Sequence, residues 1–325
     1  MSIVEALTAQ AFALTGSVAR RLSSALPERF HAGKRACRAL HNLRDAPSGP
    51  YFARAVLESR LRSALLLRYV AYLSRPRIRE FLEHRVTFEG AIGANRALEG
   101  SRPVILAAPH YGAAPIGFIA AVQRMQRRGT INLFFDTSRP VPRLNLLFER
   151  SGVDTGTLLG GFAGVMAALR ALGRGESLVI MPDAFDDMTY TLAVPFFGRM
   201  LRAAAGTAFL ALRTGAWVVP VFAAPARQLG VHVTIGRPLD PHRMTAFEES
   251  QAIFMLTRAL FASFERQMRR TPEHWYNWEA FPRVSTAVEA PGRLEDDAPL
   301  RLLRTKCAAA PHLLADLPEL ELLVQ

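Results

Sequence analysis

A single histidine stands where an apolar segment of the sequence ends. The run Val104–Ala108 has the length and composition of a buried strand, and Pro109 and His110 follow it directly. A buried strand that delivers a histidine to its carboxyl end, and then turns into a helix, is a common way to build an acyl-transfer site. Such sites usually carry a carboxylate one helical turn after the histidine. Here that position is Pro115, so the histidine is present and its expected partner is absent.

The elements that must position this histidine alternate between strand and helix patterns. Predicted strands lie at Val86–Phe88, Val104–Ala108, Ile131–Phe135, Ser177–Met181, Val218–Phe222 and Val231–Ile235. Predicted helices lie at Ala91–Leu98, Ala113–Arg127, Arg143–Arg150, Phe162–Leu172, Ala203–Arg213 and Met244–Arg270. This alternation predicts an α/β fold with a mostly parallel central sheet flanked by helices. Ligands of such sheets bind at the carboxyl ends of the strands, where His110 and Asp183 fall.

The chain divides into three predicted zones. Residues 1–85 form a basic helical region, residues 86–282 the α/β domain, and residues 283–325 a linker with a leucine-rich carboxyl-terminal tail. In the first zone, apolar residues recur at helical spacing at Ile3, Leu7, Ala11, Leu14 and Val18. This pattern predicts an amphipathic helix. The helix is equally compatible with lying on a membrane surface and with packing against the core.

The net charge of +12 is concentrated near the amino terminus. Residues 1–85 contain 15 Arg or Lys and 6 Asp or Glu, and nearly all of the positive charge is arginine. A basic region can bind an anionic membrane surface, an acidic carrier protein or nucleic acid, or it can simply be a solvated face. No nucleic-acid-binding motif accompanies it, so we predict no nucleic-acid partner.

Several function classes lack their signatures. The two cysteines, Cys37 and Cys307, provide neither a disulfide framework nor a metal-binding spacing, which fits a cytoplasmic protein. The histidines show no zinc-binding spacing, and neither a phosphate-binding loop nor a dinucleotide fingerprint is present. We therefore predict no bound metal and no cofactor. The residues before position 20 lack the basic region of a secretory signal.

Several segments, in order, resemble a known family. They are Ser138-Arg139-Pro140 with Leu144-Asn145-Leu146-Leu147, then Val194-Pro195-Phe196-Phe197-Gly198, Ala204-Ala205-Gly206-Thr207-Ala208, Thr214-Gly215-Ala216-Trp217-Val218-Val219-Pro220-Val221-Phe222, and finally Pro272-Glu273-His274-Trp275-Tyr276-Asn277-Trp278. Over about residues 85–282 the chain resembles the lysophospholipid acyltransferase superfamily, and within it the late acyltransferases of bacterial lipid A biosynthesis.

This resemblance implies an enzyme that transfers a fatty or polyketide acyl group. The donor would be the phosphopantetheine thioester of an acyl carrier protein or of coenzyme A. The acceptor would be an amine or hydroxyl of a lipid precursor or specialised metabolite. The family further implies a cytoplasmic protein, peripheral on the inner face of the bacterial inner membrane. In it, the histidine at the position of His110 acts as general base, and the acid of the H-x-x-x-x-D/E motif orients it.

The resemblance also suggests the residues that bind substrate. They are Tyr111, Gly112, Arg139, Phe197, Gly198, Arg199 and Arg202. Gly112 would offer a backbone N–H to the oxyanion of the reaction. Arg199 and Arg202 would bind a phosphate, unless they are a solvated pair. Phe197 would fill either the acyl groove or the core.

Three explanations of the missing acid remain open. In the first, another carboxylate takes its place; Asp183 follows a predicted strand and is the main candidate, with Asp136, Asp186 and Asp187 as further ones. In the second, the acceptor is an amine that needs less assistance. In the third, the domain no longer catalyses and only binds an acyl chain or a partner. A hydrolase that releases acyl chains from a thioester to water is a further alternative.

Overall fold

The computed structural model describes residues 3–25, 49–125, 129–135, 142–185 and 190–287. These residues form ten strands: β1 (Val86–Gly90), β2 (Val104–Ala107), β3 (Ile131–Phe135), β4 (Thr155–Leu159), β5 (Ser177–Ile180), β6 (Thr191–Phe196), β7 (Arg199–Ala204), β8 (Trp217–Pro225), β9 (Val231–Ile235) and β10 (Ser285–Ala287). Seven of them make one sheet in the order β1-β9-β8-β2-β5-β3-β4. Only the β8–β9 pair is antiparallel, which confirms the predicted mostly parallel sheet.

Helices cover this sheet and precede it in the chain. They are α1 (Ile3–Ala25), α2 (Gly49–Tyr72), α3 (Arg75–His84), α4 (Ala94–Glu99), α5 (Ala114–Arg124), α6 (Pro142–Ser151), α7 (Gly161–Gly173), α8 (Gly206–Thr214), α9 (Glu249–Arg270) and α10 (Phe281–Val284). The start of α9 was predicted too early, because Pro241–Met244 forms a separate 3₁₀ turn. Of the predicted carboxyl-terminal zone, residues 283–325, the first five complete α10 and form β10, and residues 288–325 lie outside the described residues.

A second, three-stranded sheet was not predicted from the sequence. Strands β6 and β7 form an antiparallel hairpin, and β10 pairs with the outer side of β7. The hairpin turns at Phe197 and Gly198, whose φ angles are +51° and +68°. Positive φ at both central residues is the signature of the tight turn whose twist matches that of the paired strands. The hairpin also explains why α8 begins at Gly206 rather than at Ala203, which belongs to β7.

The core lies on both faces of the seven-stranded sheet. All four residues of β2 are buried; Val104 and Leu106 pack in one apolar cluster, and Ile105 and Ala107 in the other. This is the alternation that a strand covered on both faces requires. Helix α2 contributes to both clusters. The central strands are therefore held from both sides, and the carboxyl end of β2 is a rigid base for the residues that follow.

Helix α1 turns its predicted apolar stripe outwards. Phe12 and Ala19 are buried where α1 packs against α2, whereas Leu7, Leu14 and Val18 are 61%, 51% and 43% exposed. The helix therefore packs against the described core, as one of the two arrangements left open by the sequence, but through Phe12 rather than through this stripe. None of the described helices is long and apolar enough to cross a membrane.

The loop after β2 passes very close to β8. The backbone N–H of Ala113 donates to the carbonyl oxygen of Ala223, 2.7 Å away, and Gly112 has a φ of +52°. A Cβ atom at position 112 would collide with the same carbonyl oxygen of Ala223. Glycine is required here both for the left-handed backbone and for the close approach of the two chain segments.

We predict that Gly112→Ala lowers the free energy of unfolding by about 2–4 kcal/mol, since left-handed strain and a backbone collision add together. The matched control is Gly93→Ala, because Gly93 has a φ of +84° but nothing within 4 Å of the added Cβ. That variant should lose only about 1 kcal/mol, the cost of the strain alone. Urea denaturation of both variants measures the difference. Equal losses would contradict the close-approach argument.

Candidate active site

Strand β2 delivers His110 to the carboxyl edge of the sheet. The strand lies between β8 and β5, and the backbone N–H of Ala108 extends the pairing by donating to Ile180 O at 3.1 Å. Proline at position 109 then ends the strand pattern, because it has no N–H to donate. His110 follows, at the edge where open α/β sheets bind their ligands.

The side chain of His110 is paired with Asp183, which follows the neighbouring strand β5. The ring Nδ1 of His110 lies 2.7 Å from Asp183 Oδ1, and the His110 backbone N–H donates to both carboxylate oxygens at 2.9 and 3.0 Å. A carboxylate only accepts hydrogen bonds, so Nδ1 carries the proton. The Nε2 atom has no partner among the described residues. The Asp183 side chain is 1% exposed and that of His110 is 37% exposed, so the histidine is the accessible member of the pair.

The environment of the pair raises the pKa of His110. Burial of the ring disfavours the imidazolium, but the negative charge of Asp183 and its hydrogen bond outweigh that effect. Three titratable side chains beside His110, namely Tyr111, His274 and Tyr276, are neutral near pH 7. Burial raises the pKa of Tyr111 and of Tyr276 to about 12, and burial, with a smaller contribution from Arg62, lowers the pKa of His274 to about 4. A raised pKa makes His110 a stronger base.

The buried carboxylate of Asp183 accepts hydrogen bonds from two further side chains. Trp275 Nε1 donates to Oδ2 at 2.8 Å, and Asn277 Nδ2 donates to the same oxygen at 3.1 Å. The Asn277 amide also donates to the backbone carbonyl of Asp183 at 2.7 Å. A carboxylate removed from water is strongly destabilising unless it is hydrogen-bonded, and here both oxygens are.

Pro115 occupies the place of the motif acid without replacing it. It lies in the first turn of α5, where a missing N–H is tolerated, and it lines the cavity described below. The acid nearest to His110 therefore comes from an adjacent strand rather than from the following helix. The other acids considered from the sequence, Asp136, Asp186 and Asp187, lie outside the described residues.

A large cavity opens in front of His110. Its volume is about 1730 Å³, and its lining is mainly apolar. Val179 and Ile180 are successive residues of β5 that face opposite sides of the sheet, and both line the cavity, which therefore continues around the sheet edge. Five exposed apolar side chains line it and mark where it opens to the surface: Tyr72, Leu146, Phe162, Met166 and Tyr190. Arg68 and Arg150 add positive charge beside them.

The structure corrects the predicted role of Gly112. Its backbone N–H donates to His274 O at 2.8 Å, and its carbonyl accepts from Tyr276 Oη at 2.8 Å. The N–H is therefore not free to bind an oxyanion. Tyr111 is 1% exposed, with its hydroxyl bonded to Thr271 and its ring packed against Phe222. Both residues are among those that line the cavity, and both hold the loop that carries His110.

Four other predicted substrate-binding residues belong to the hairpin of the second sheet rather than to the cavity wall. Phe197, Gly198, Arg199 and Arg202 lie on the β6–β7 hairpin, and none is among the described residues that line the cavity. Phe197 is buried under Trp278, and Arg199 donates to Ser285 Oγ and O at 2.8 and 2.9 Å. Arg202 is exposed. Arg139 lies outside the described residues.

Two residues at the site were missed as functional candidates. Trp275 and Asn277 belong to the Pro272–Trp278 segment, which the sequence marked only as a family motif. Nothing in its composition shows that two of its side chains reach Asp183, 92 and 94 positions earlier. Among the described residues, no three His, Cys, Asp or Glu side chains are grouped so as to hold a metal ion.

A comparison with known families agrees with the α/β fold described above. A family model described as bacterial lipid A biosynthesis acyltransferase matches residues 13–278, so the chain belongs to this family. The match begins within α1 and therefore includes the amino-terminal helices, beyond the segment that carried the resemblance. Family membership makes this an acyltransferase-class protein. No curated protein matches the chain.

We predict that Asp183→Asn lowers the pKa of the His110 imidazole, because the variant removes the charge that stabilises the imidazolium. An NMR titration of the ring measures this directly. The matched control is Asp154→Asn, since Asp154 is an acid at the opposite, amino-terminal edge of the sheet. The Asp154→Asn variant should leave the pKa of the His110 imidazole unchanged. An unchanged His110 titration in Asp183→Asn would show that the pair is not coupled.

Proposed function

We propose that the protein transfers an acyl group from a phosphopantetheine thioester to an amine or hydroxyl, with His110 as the general base. The observation that supports this proposal is the position of the His110–Asp183 pair at the wall of a large apolar cavity. The thioester donor is an acyl carrier protein or coenzyme A, and the acceptor is a lipid precursor or a specialised metabolite. This is the activity expected of an acyltransferase of the lipid A biosynthesis family.

In the proposed reaction, His110 moves one proton from the acceptor to the leaving group. Its unpartnered Nε2 takes the proton as the acceptor oxygen or nitrogen attacks the thioester carbonyl. The tetrahedral intermediate then collapses, the carbon–sulfur bond breaks, and the same Nε2 returns the proton to the departing sulfur. Asp183 keeps the proton on Nδ1 and stabilises the imidazolium between these two steps.

The cavity provides room for the acyl chain. At about 1730 Å³ it exceeds the roughly 300–1,000 Å³ that encloses a drug-sized ligand. Its apolar lining suits a hydrocarbon chain, and burial of that chain contributes about 0.8 kcal/mol per methylene. Arg68 and Arg150 at the opening are suited to the phosphate of the phosphopantetheine arm.

A mass-spectrometric screen tests this function. Purified protein is mixed with acyl carrier proteins and coenzyme A carrying chains of several lengths, together with a panel of amines and lysolipids. We expect an acylated amine or lysolipid and a free thiol in equal amounts. Free fatty acid at the same rate with and without acceptor would instead indicate a thioester hydrolase. Tight binding of an intact thioester would indicate a protein that only binds acyl chains.

We predict that His110→Ala abolishes turnover without loss of the fold, and that Asp183→Asn lowers kcat by roughly 10²–10⁴ with little change in donor binding. The matched control is His232→Ala, since His232 is an exposed histidine on β9. Steady-state kinetics with circular dichroism of each variant provide the measurement. Wild-type rates in folded His110→Ala would overturn the catalytic role.

The pH dependence follows from the raised pKa of His110. A general base acts in its neutral form, so kcat/KM should rise with pH and level off above this pKa. In Asp183→Asn the rise should occur at lower pH, because the stabilising charge is gone. If the acceptor is an amine that needs no proton transfer to the His110–Asp183 pair, Asp183→Asn should change kcat/KM little. The rate should then follow deprotonation of that amine.

We also propose that α1 lies on an anionic membrane surface, at the inner face of the inner membrane. Its exposed stripe of Leu7, Leu14 and Val18 provides apolar contact, and the positive surplus of residues 1–85 provides attraction to acidic headgroups. The packing of α1 on α2 would keep the protein close to its lipid substrates.

We predict that the combined Leu7→Ser and Leu14→Ser variant sediments with anionic vesicles much less than the wild type, because it removes the exposed apolar contact. The matched control is Ile92→Ser, which removes an apolar side chain that is 95% exposed after β1. Wild-type binding should also weaken with salt, since exposed charges are screened over about 8 Å at physiological ionic strength. Equal binding of all three proteins would contradict the proposed role of α1.

A further inference from the structure

The segment that follows α9 is bonded along the loop that carries His110. The backbone N–H of Tyr276 donates to His110 O at 2.8 Å, and His274 O accepts the N–H of Gly112 at 2.8 Å. Between these bonds, Tyr111 and Trp275 face each other as an antiparallel bridge. These backbone bonds set the register of residues 274–277 against the histidine loop.

The side chains of this segment bond to different parts of the structure. His274 directs its Nδ1 to Ser59 Oγ at 2.7 Å, and Tyr276 directs its hydroxyl to the carbonyl of Gly112. Trp275 and Asn277, two positions apart, both reach Asp183. The backbone is extended at Trp275 and helical at Tyr276, and the 3₁₀ turn Asn277–Glu279 follows directly, which brings both side chains to the same carboxylate.

The two carboxylate oxygens of Asp183 therefore have different side-chain partners. Oδ1 accepts from His110 Nδ1 at 2.7 Å, and Oδ2 accepts from Trp275 at 2.8 Å and Asn277 at 3.1 Å. Rotation of the carboxylate would break all three bonds at once in a site that is 1% exposed. The indole and the amide, together with the His110 backbone N–H that donates to both oxygens, thus hold Oδ1 towards the imidazole.

We propose that Trp275 and Asn277 are positioning residues, which hold the Asp183 carboxylate in the orientation that presents Oδ1 to His110. This inference rests on the proposed function for its catalytic consequence. Neither residue takes part in proton transfer. Trp275 acts through Asp183, and Asn277 acts through Asp183 while its amide nitrogen also lies 3.4 Å from His110 Nδ1. Loss of either donor leaves Oδ2 short of a partner and allows the carboxylate to turn away from the imidazole, so that fewer molecules have the ring aligned with the acceptor.

A merely structural role for these residues must be separated from positioning. Trp275 is fully buried and packs edge-on against Phe196 and Trp278, so its replacement disturbs the core as well as the hydrogen bond. Trp278 is the matched control. It is also fully buried in the same aromatic cluster, but its Nε1 donates to Pro272 O at 2.7 Å instead of to Asp183.

Asn277 provides a second, independent test of the positioning role. Asn277 is only half-buried, so Asn277→Ala removes the hydrogen bonds to Asp183 with little loss of packing. Its matched control is Asn132→Ala, because Asn132 on β3 donates to the carboxylate of Glu176 at 2.7 Å, near the amino-terminal end of the sheet.

The experiment measures steady-state kinetics and the His110 imidazole in four variants: Trp275→Phe, Asn277→Ala, Trp278→Phe and Asn132→Ala. In the first two variants, we expect kcat to fall roughly 10–100-fold. This is the range found in metalloproteins when a hydrogen-bond partner that orients a metal-bound histidine is removed. The KM for the acyl donor should stay within about twofold, because the hydrogen bonds act on the base and not on the donor. The two controls should keep wild-type kcat.

The imidazole provides a measurement that needs no turnover. In Trp275→Phe and Asn277→Ala, NMR should show the low-field Nδ1 proton of His110 broadened or lost. The pKa of the ring should also move below its wild-type value, because Asp183 no longer faces it. Both features should persist in the controls. If Trp275→Phe fails to fold, Asn277→Ala still decides the question.

The outcomes separate this inference from the proposed function. Equal kinetics and equal His110 spectra in all four folded variants would overturn the positioning role, even with an active wild type. Changed His110 spectra in a protein that turns over no substrate would support positioning and overturn only the catalytic proposal.

Discussion

The structure of the site depends on the burial of one carboxylate. Asp183 is 1% exposed, and a charge removed from water in this way destabilises the fold unless hydrogen-bond donors surround it. The donors come from two distant parts of the chain, the loop after β2 and the segment after α9. Both parts must be in place for the buried carboxylate to have its hydrogen-bond partners. The packing that stabilises Asp183 therefore also aligns the imidazole of His110.

The adjacency of β2 and β5 explains how a histidine can retain an acid partner without the usual motif residue. Parallel neighbours end at the same edge of a sheet, so the residues that follow them meet in space although 73 positions separate them. Pro115 then has a different role in the site. It supplies no acceptor to His110, and it leaves an apolar surface in the cavity at the first turn of α5.

The same loop shows how closely the geometry of the His110–Asp183 pair depends on packing in this fold. Gly112 carries a positive φ, passes against Ala223 and has both of its backbone groups bonded to residues 274–276. The pair is rigid because it is attached to the central sheet and to the carboxyl-terminal segment together. The apolar cavity opens beside this rigid part, so a ligand can occupy the cavity without displacing His110.

The sequence by itself determined the α/β class and the edge where chemistry could occur, since strand and helix periodicities and the apolar run before His110 are local properties. It named Asp183 as one of several candidate acids. Only the tertiary structure shows, for the described residues, that Asp183 faces the imidazole and that the N–H of Gly112 is already bonded. It also shows that the turn at Phe197 belongs to a separate hairpin. It also decided that the α1 stripe faces outwards, because periodicity identifies an apolar face without showing what lies against it. The contacts of Trp275 and Asn277 with Asp183 join residues more than 90 positions apart. Local sequence patterns carry no information about contacts at such a separation.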